Sequence, residues 1–284
     1  MQSVYASVEN YIADLSVHEL AAMTQDEPNV DERFMLNKLR AIEGLMLEKE
    51  ALALFRVCKL LPCKSKILEI GSFQGGSTLA IGHAIAGTDI ELFCLDPWSN
   101  YLSQSDFADF DRAKVSDDFR ILNNFISNTA FIGENLRMLR GTTSAFRELL
   151  KGKGFDFIFI DGAHDYLSVR NDIMIAFSAL KPGGFVCGHD YHSEGHGVRK
   201  AVNELVAGVQ SITVKGKFDD THIWFGIIEN PHYEYVLTDI SSLINAGSLE
   251  EALIKSYAAF AEFRNPEILN YISAIKLNMS SKIR

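Results

Sequence analysis

Residues 66–77 read Lys66-Ile67-Leu68-Glu69-Ile70-Gly71-Ser72-Phe73-Gln74-Gly75-Gly76-Ser77. A short apolar run that ends in a cluster of glycines is the pattern of a strand turning sharply into a helix. Downstream, the same grammar repeats. Runs rich in Ile, Phe, Val and Leu (ELFCLD, IGENLRMLR, FDFIFID, GGFVCGHD) alternate with longer amphipathic stretches. Strands apolar on both faces and separated by helices imply a parallel sheet covered on both sides. The expectation is a doubly wound, mostly parallel α/β sheet of seven strands. Its first five lie near 66–70, 91–95, 136–140, 155–160 and 184–188.

Upstream, residues 1–62 read as a helical segment. Phe34, Leu36, Leu39, Ile42, Leu45 and Met46 recur at helical spacing, and residues 51–61 do so again before Pro62. Past the fifth strand, residues 211–228 contain two strand-like runs around the turn-forming Lys217–Asp220, which reads as an antiparallel hairpin at a sheet edge. From about residue 240 the chain is again helical. Gly247-Ser248 with Glu251 reads as a helix start, Leu249, Ala252, Leu253, Tyr257 and Phe260 as an apolar stripe, and a short helix follows Pro266. The expected division is 1–62, 63–230 and 231–284.

Composition narrows the function classes. The 284 residues are 47% hydrophobic and 23% charged, the proportions of an ordinary globular protein. A net charge of -10 opposes a nucleic-acid binder, which needs a positive field. Cys58, Cys63, Cys94 and Cys187 form no C-x-x-C pair and read as reduced thiols. The start, MQSVYASVENYIADL, lacks the pattern of a signal peptide, and no apolar run approaches the roughly 20 residues of a membrane span. A cytoplasmic protein without membrane or nucleic-acid partners is expected, alone or as a homo-oligomer.

The glycine loop is E-x-G-x-x-x-G, not the G-x-G-x-x-G of dinucleotide sites, because Phe73 stands where the second glycine belongs. It lacks the gap a pyrophosphate needs, and Glu69 suits a cationic ligand group. Asp96, 25 residues after Gly71, ends the second strand where a carboxylate can accept ribose hydroxyls. Together they ask for a nucleoside joined to a cation, which describes S-adenosylmethionine. The bland alternative is a structural turn beside a solvated Asp96.

The motifs ILEIGSFQGGSTLAI, LDPW, FIFIDGAHDY and LKPGGFVCGHDY…GVRKAV, with EGLMLEKEALALF before them, resemble class I S-adenosylmethionine-dependent methyltransferases. The resemblance covers residues 43–228 and is nearest to the macrolide-sugar and cephalosporin-hydroxyl O-methyltransferases. It implies a Rossmann-like methyltransferase fold. It also implies that Glu69, Gly71, Gly75 and Ser77 line the methionine end of the cofactor, with Ser72 and Phe73 also at the cofactor. Asp96 would take the ribose, with Trp98 and Asp161 also at the cofactor. Thr142 and Thr143 would stand near the adenine, where this family usually carries an acidic residue.

At the chemistry end, the fourth strand leads into Asp161, His164 and Asp165, and the fifth into His189, Asp190 and His192. Such loops can hold metal ligands, bases or merely polar residues. The resemblance implies that Asp161, His189 and Asp190 hold a divalent metal such as Mg²⁺ or Mn²⁺, and that His164 is the general base for a hydroxyl acceptor. His189 departs from the family, which has an acidic residue there. His192 and His196 read as rim residues. The stretch from Trp98 to Phe131, with Asp106, Asp109, Asp111, Asp117 and Asp118, reads either as a lid or as a crossover helix with a solvated acidic face. Two other readings stand beside a methyltransferase of a small-molecule hydroxyl: a nicotinamide-dependent oxidoreductase on a related sheet, and a degenerate cofactor-binding module that recruits a partner.

Overall fold

The computed structural model describes residues 12, 15–44, 46–98, 119–192, 197–207, 212–263 and 267–281. Two compact units divide the chain, Met1–Glu229 and Asn230–Arg284. The first unit opens with α1 (Val17–Ala21), α2 (Val30–Leu39) and α3 (Glu48–Lys59). Asn29 caps α2 in a reciprocal box with Glu32. Glu32 also receives Arg56 Nε at 2.7 Å and Nη2 at 2.9 Å, a bidentate pair that ties α2 to α3. Leu36 and Leu39 face inward, whereas Phe34, expected in the same stripe, is 55% exposed. The rest of the expected stripe lies beyond α2, whose last residue is Leu39.

The sheet elements follow in order: β1 (Lys66–Ile70), α4 (Gly76–Ile85), β2 (Glu91–Asp96), α5 (Arg120–Thr129), β3 (Leu136–Arg140), α6 (Thr143–Leu150), β4 (Phe155–Ile160), α7 (Tyr166–Ala179), β5 (Leu180–Gly188), α8 (Gly197–Val202), β6 (Ile212–Lys217) and β7 (Trp224–Ile228). The strand order is β3-β2-β1-β4-β5-β7-β6. The first five strands are parallel, and β7 runs antiparallel to both β5 and β6. The expected seven-stranded sheet and edge hairpin are therefore present. β5 starts earlier than expected, at Leu180, and its pairing with β4 slips between Phe155 and Phe157. Pro182 lies in that slip and has no N–H for the ladder.

One hydrophobic cluster joins α2 and α3 to the sheet through Met35, Leu54, Ile67, Leu92 and Phe157. Phe157, Phe185 and Phe225 pack across three neighbouring strands, with ring centroids 5.7 and 6.0 Å apart. Each such ring removed from water contributes about 2–3 kcal/mol. The strand order reverses between β1 and β4, so their carboxyl ends diverge and leave a crevice.

The second unit is three helices, α9 (Pro231–Asn245), α10 (Leu249–Phe263) and α11 (Glu267–Ser281). Leu237, Ile240, Ala252, Ile268 and Ile272 form its core. Helix begins here at Pro231 rather than near 240, and α11 is 15 residues long rather than short. No described helix is long and apolar enough to cross a membrane.

Candidate active site

A cleft of about 750 Å³ lies at the point of strand reversal. Gly71 enters it with φ +87°, and a Cβ there would stand 2.0 Å from the Asp161 carbonyl oxygen. The ends of β1 and β4 cross this closely only because position 71 is glycine. Ser72, Phe73 and Ser77 continue that wall.

Asp96 fixes the glycine loop. Its Oδ2 accepts the backbone N–H groups of Ser72 and Phe73 at 3.0 and 2.9 Å, and Oδ1 accepts that of Trp98 at 2.6 Å. Burial raises its carboxyl, and these three donors work against the rise. Asp96 lines the cleft with lone-pair capacity beyond these three bonds. Phe73 (φ +45°) and Trp98 (φ +40°) adopt the left-handed conformation on either side of it, strain of the kind that collects at functional sites.

Glu69, Gly75 and Trp98 stand behind the wall rather than in it. Glu69 is fully buried and accepts the hydroxyls of Ser72, Ser77 and Thr78 at 2.5–2.6 Å, with the Cys94 thiol at 3.2 Å. Four donors occupy the carboxylate that was expected to meet the ligand directly. Gly75 starts α4 in the left-handed region, φ +91°, against Thr129. Trp98 packs on Phe125 and donates Nε1–H to the Phe73 carbonyl at 3.0 Å.

Thr142 caps α6 and Thr143 is buried, both on the cleft. Close to them sits Asp172, an acidic wall residue that lies on α7 rather than after β3. Burial raises its carboxyl to about 6, partly offset by a hydrogen bond from Thr143.

The other end of the cleft gathers histidines and carboxylates. His164 Nε2 stands 2.9 Å from Asp190 Oδ2, and His192 Nε2 stands 3.2 Å from Asp190 Oδ1. His189 Nδ1 faces Asp190 Oδ2 at 3.2 Å and Asp161 Oδ1 at 3.6 Å, while its Nε2 is 2.9 Å from Glu50 Oε2. Glu50 Oε1 lies 3.4 Å from His222 Nδ1. Burial alone lowers the His189 ring, but Asp161, Asp190 and Glu50 outweigh it and hold the ring protonated up to about 11. Burial raises the Asp190 carboxyl, yet the hydrogen bonds of His164 and His189 bring it well below the usual carboxylate range. Burial raises Asp161 to about 6, with His189 opposing. Asp190 itself is held at φ +60°.

Two groups of donor atoms each lie within 4.8 Å of one another, Asp161, His164 and Asp190 in one and Glu50, His189 and His222 in the other. The His189 ring lies between them: Glu50 is nearest its Nε2, at 2.9 Å, while its Nδ1 faces Asp190 and Asp161 at 3.2 and 3.6 Å. Glu50, Asp172 and His222 were not anticipated. Glu50 carried one signal, since it shares the buried helical face with Leu54 and Val57. His196 and the acidic residues 106–118 lie outside the described residues.

Residues 68–191 match the family model described as "Methyltransferase domain". These residues are a methyltransferase domain. Its sheet is the Rossmann-like sheet of class I methyltransferases, and solved structures share it. A putative O-methyltransferase from Klebsiella pneumoniae aligns with a TM-score of 0.50 at 15% identity, over 79% of this chain and 97% of that one. The Podospora anserina methyltransferase PaMTH1, solved with S-adenosylhomocysteine, aligns with a TM-score of 0.50 at 13% identity, over 81% and 99%. Among curated proteins, the uncharacterized protein R132 of Acanthamoeba polyphaga mimivirus is 37% identical over 60 residues. That match spans 20% of this chain and 27% of the viral protein's length. The methyltransferase domain thus contains the glycine loop, Asp96, and both strand ends that carry the histidine–carboxylate cluster.

Proposed function

We propose that the cleft binds S-adenosylmethionine and that the protein moves its methyl group to a hydroxyl of a small molecule, in the manner of sugar and natural-product O-methyltransferases. The carrying observation is that one cleft at the strand reversal joins the Asp96-braced glycine loop to the Asp161–His164–Asp190 cluster. In this reading Asp96 takes a ribose hydroxyl, the loop of Gly71–Phe73 lies along the cofactor, and Thr142, Thr143 and Asp172 lie on the adenine side.

Methyl transfer to oxygen is a direct displacement. The C–S bond breaks as the C–O bond forms, sulfur leaves as a neutral thioether, and the hydroxyl loses its proton. Aligning the two centres removes much of the entropic barrier. The proton goes to His164, whose ring is oriented by Asp190 at 2.9 Å. With His164 kept as the base, Asp161 and Asp190 are the carboxylates that would hold a divalent ion, which when bound would lower the pKa of a coordinated hydroxyl.

The test is calorimetric titration with S-adenosylhomocysteine, followed by transfer of labelled methyl to a panel of hydroxylated acceptors with and without Mg²⁺ or Mn²⁺. Micromolar binding and label in an alkali-stable ether support the reading. Absence of both heat and thermal stabilisation overturns it.

A further inference from the structure

Glu50, His189 and His222 form a second group of donor atoms within 4.8 Å of one another, brought together from α3, the end of β5 and the β6–β7 turn. Glu50 is fully buried, and two backbone groups aim its carboxylate: the N–H of Leu47 donates to Oε2 at 2.9 Å and that of His222 to Oε1 at 3.1 Å. The His189 ring is only 9% exposed. Its Nε2 lies 2.9 Å from Glu50 Oε2 but off the line of a hydrogen bond, so this buried nitrogen has no hydrogen-bond partner.

We propose that Glu50, His189 and His222 bind a divalent transition-metal ion, with Zn²⁺ as the best match, at a site separate from Asp161, His164 and Asp190. Two imidazoles and one carboxylate are the donor set that Zn²⁺ and Fe²⁺ favour over Mg²⁺. Ligand atoms around one tetrahedral Zn²⁺ at about 2.0–2.1 Å stand roughly 3.3 Å apart. Glu50 presents a different oxygen to each ring, Oε2 to His189 Nε2 at 2.9 Å and Oε1 to His222 Nδ1 at 3.4 Å. The second shell is also present. His189 Nδ1 faces Asp190 Oδ2 at 3.2 Å, the carboxylate–histidine pairing that leaves Nε2 as the ligand nitrogen. The proton that His189 otherwise holds on Nε2 leaves when the ion arrives. Such an ion would join α3 to the β5 and β7 ends through His189, so it would set the position of Asp190 and, through it, His164.

The whole protein would be stripped with chelator, reloaded with Zn²⁺ or Co²⁺, desalted, and its metal counted. The visible spectrum of the Co²⁺ form would be recorded alongside. The proposal expects one retained equivalent and the intense d–d bands of four-coordinate Co²⁺. In His222→Ala and Glu50→Gln both should fall at least tenfold, while Asp161→Asn and His164→Ala keep them. His222 is half-exposed, so His222→Ala carries the test if the buried Glu50→Gln fails to fold. Far-UV circular dichroism and S-adenosylhomocysteine binding by each variant report folding independently of the metal. No stoichiometric metal in the wild-type protein overturns the proposal. So does metal lost with Asp161→Asn and retained in His222→Ala. Neither result bears on whether the cleft binds S-adenosylhomocysteine, so the two readings fail separately.

Discussion

The α-carbon of Gly71 passes so close to Asp161 that a methyl group on it would sit 2.0 Å from the Asp161 carbonyl oxygen and 2.6 Å from the Gly162 nitrogen. Both neighbours are backbone, so nothing flexible can yield. Gly71→Ala is expected to lose at least about 4 kcal/mol of stability, or not to fold, because the clash adds to the strain of φ +87°. Soluble yield and urea unfolding check this. A midpoint near that of the wild type would show that the two strand ends can separate.

Asp96 accepts three backbone donors, two of them from the glycine loop. Hydrogen bonds to a charged acceptor contribute about 1.5–3 kcal/mol each. Asp96→Ala should therefore loosen the loop as well as remove a ribose acceptor. The expected outcome is a loss of S-adenosylhomocysteine affinity of more than tenfold by calorimetry, with faster hydrogen exchange of the Ser72 and Phe73 amides. Asp96→Asn keeps one acceptor oxygen and should fall between.

His164→Ala removes the proton acceptor but no wall residue of the cofactor end. With an acceptor in hand, the turnover rate should drop about 10²–10⁴-fold, while S-adenosylhomocysteine binds as before. Equal loss of binding and turnover would assign His164 to positioning instead. The pH–rate profile separates the two: the alanine variant should lose the limb that reports the base.

Asp172 has a folded value of about 6 against the usual 3.8, raised by burial. A value raised on folding favours the fold when the group is protonated, below about pH 4. That contribution disappears as the pH passes through 6. The difference of about two units corresponds to roughly 3 kcal/mol. Asp172→Asn should thus be more stable than the wild type at pH 8 and lose that advantage by pH 4. Thermal melts across this range check the sign, and an advantage that grows toward acid would refute the buried-carboxylate account.

Much of the fold was legible because strands buried on both faces leave long apolar runs, and tight turns leave glycine. The run KILEIGSFQGGS shows both, so β1, its turn and α4 follow from local pattern. The edge hairpin was legible for the same reason, with a turn-forming stretch between two apolar runs. The helix from Pro231 was missed because its first turns lack a clean apolar stripe, and α11 was judged short because Pro266 looks like a local break.

The sequence by itself determined which residues end the parallel strands, and hence that Gly71, Asp96, Asp161, His164 and Asp190 gather at one edge. Strand order and the glycine turn carry that information locally, through backbone sterics and hydrophobic periodicity. Only the tertiary structure decided what each side chain meets. Glu69 and Asp96 are both acidic ends of the same motif, yet Glu69 is enclosed by three hydroxyls and a thiol while Asp96 reaches the cleft. His189 read as a partner of Asp161 and Asp190, but Glu50, 139 positions earlier in the chain, stands closer to its ring. No local pattern encodes a contact across that distance. It arises where Glu50 of α3 meets the residue after β5, and there three carboxylates, of which Glu50 is fully buried, converge on one imidazole.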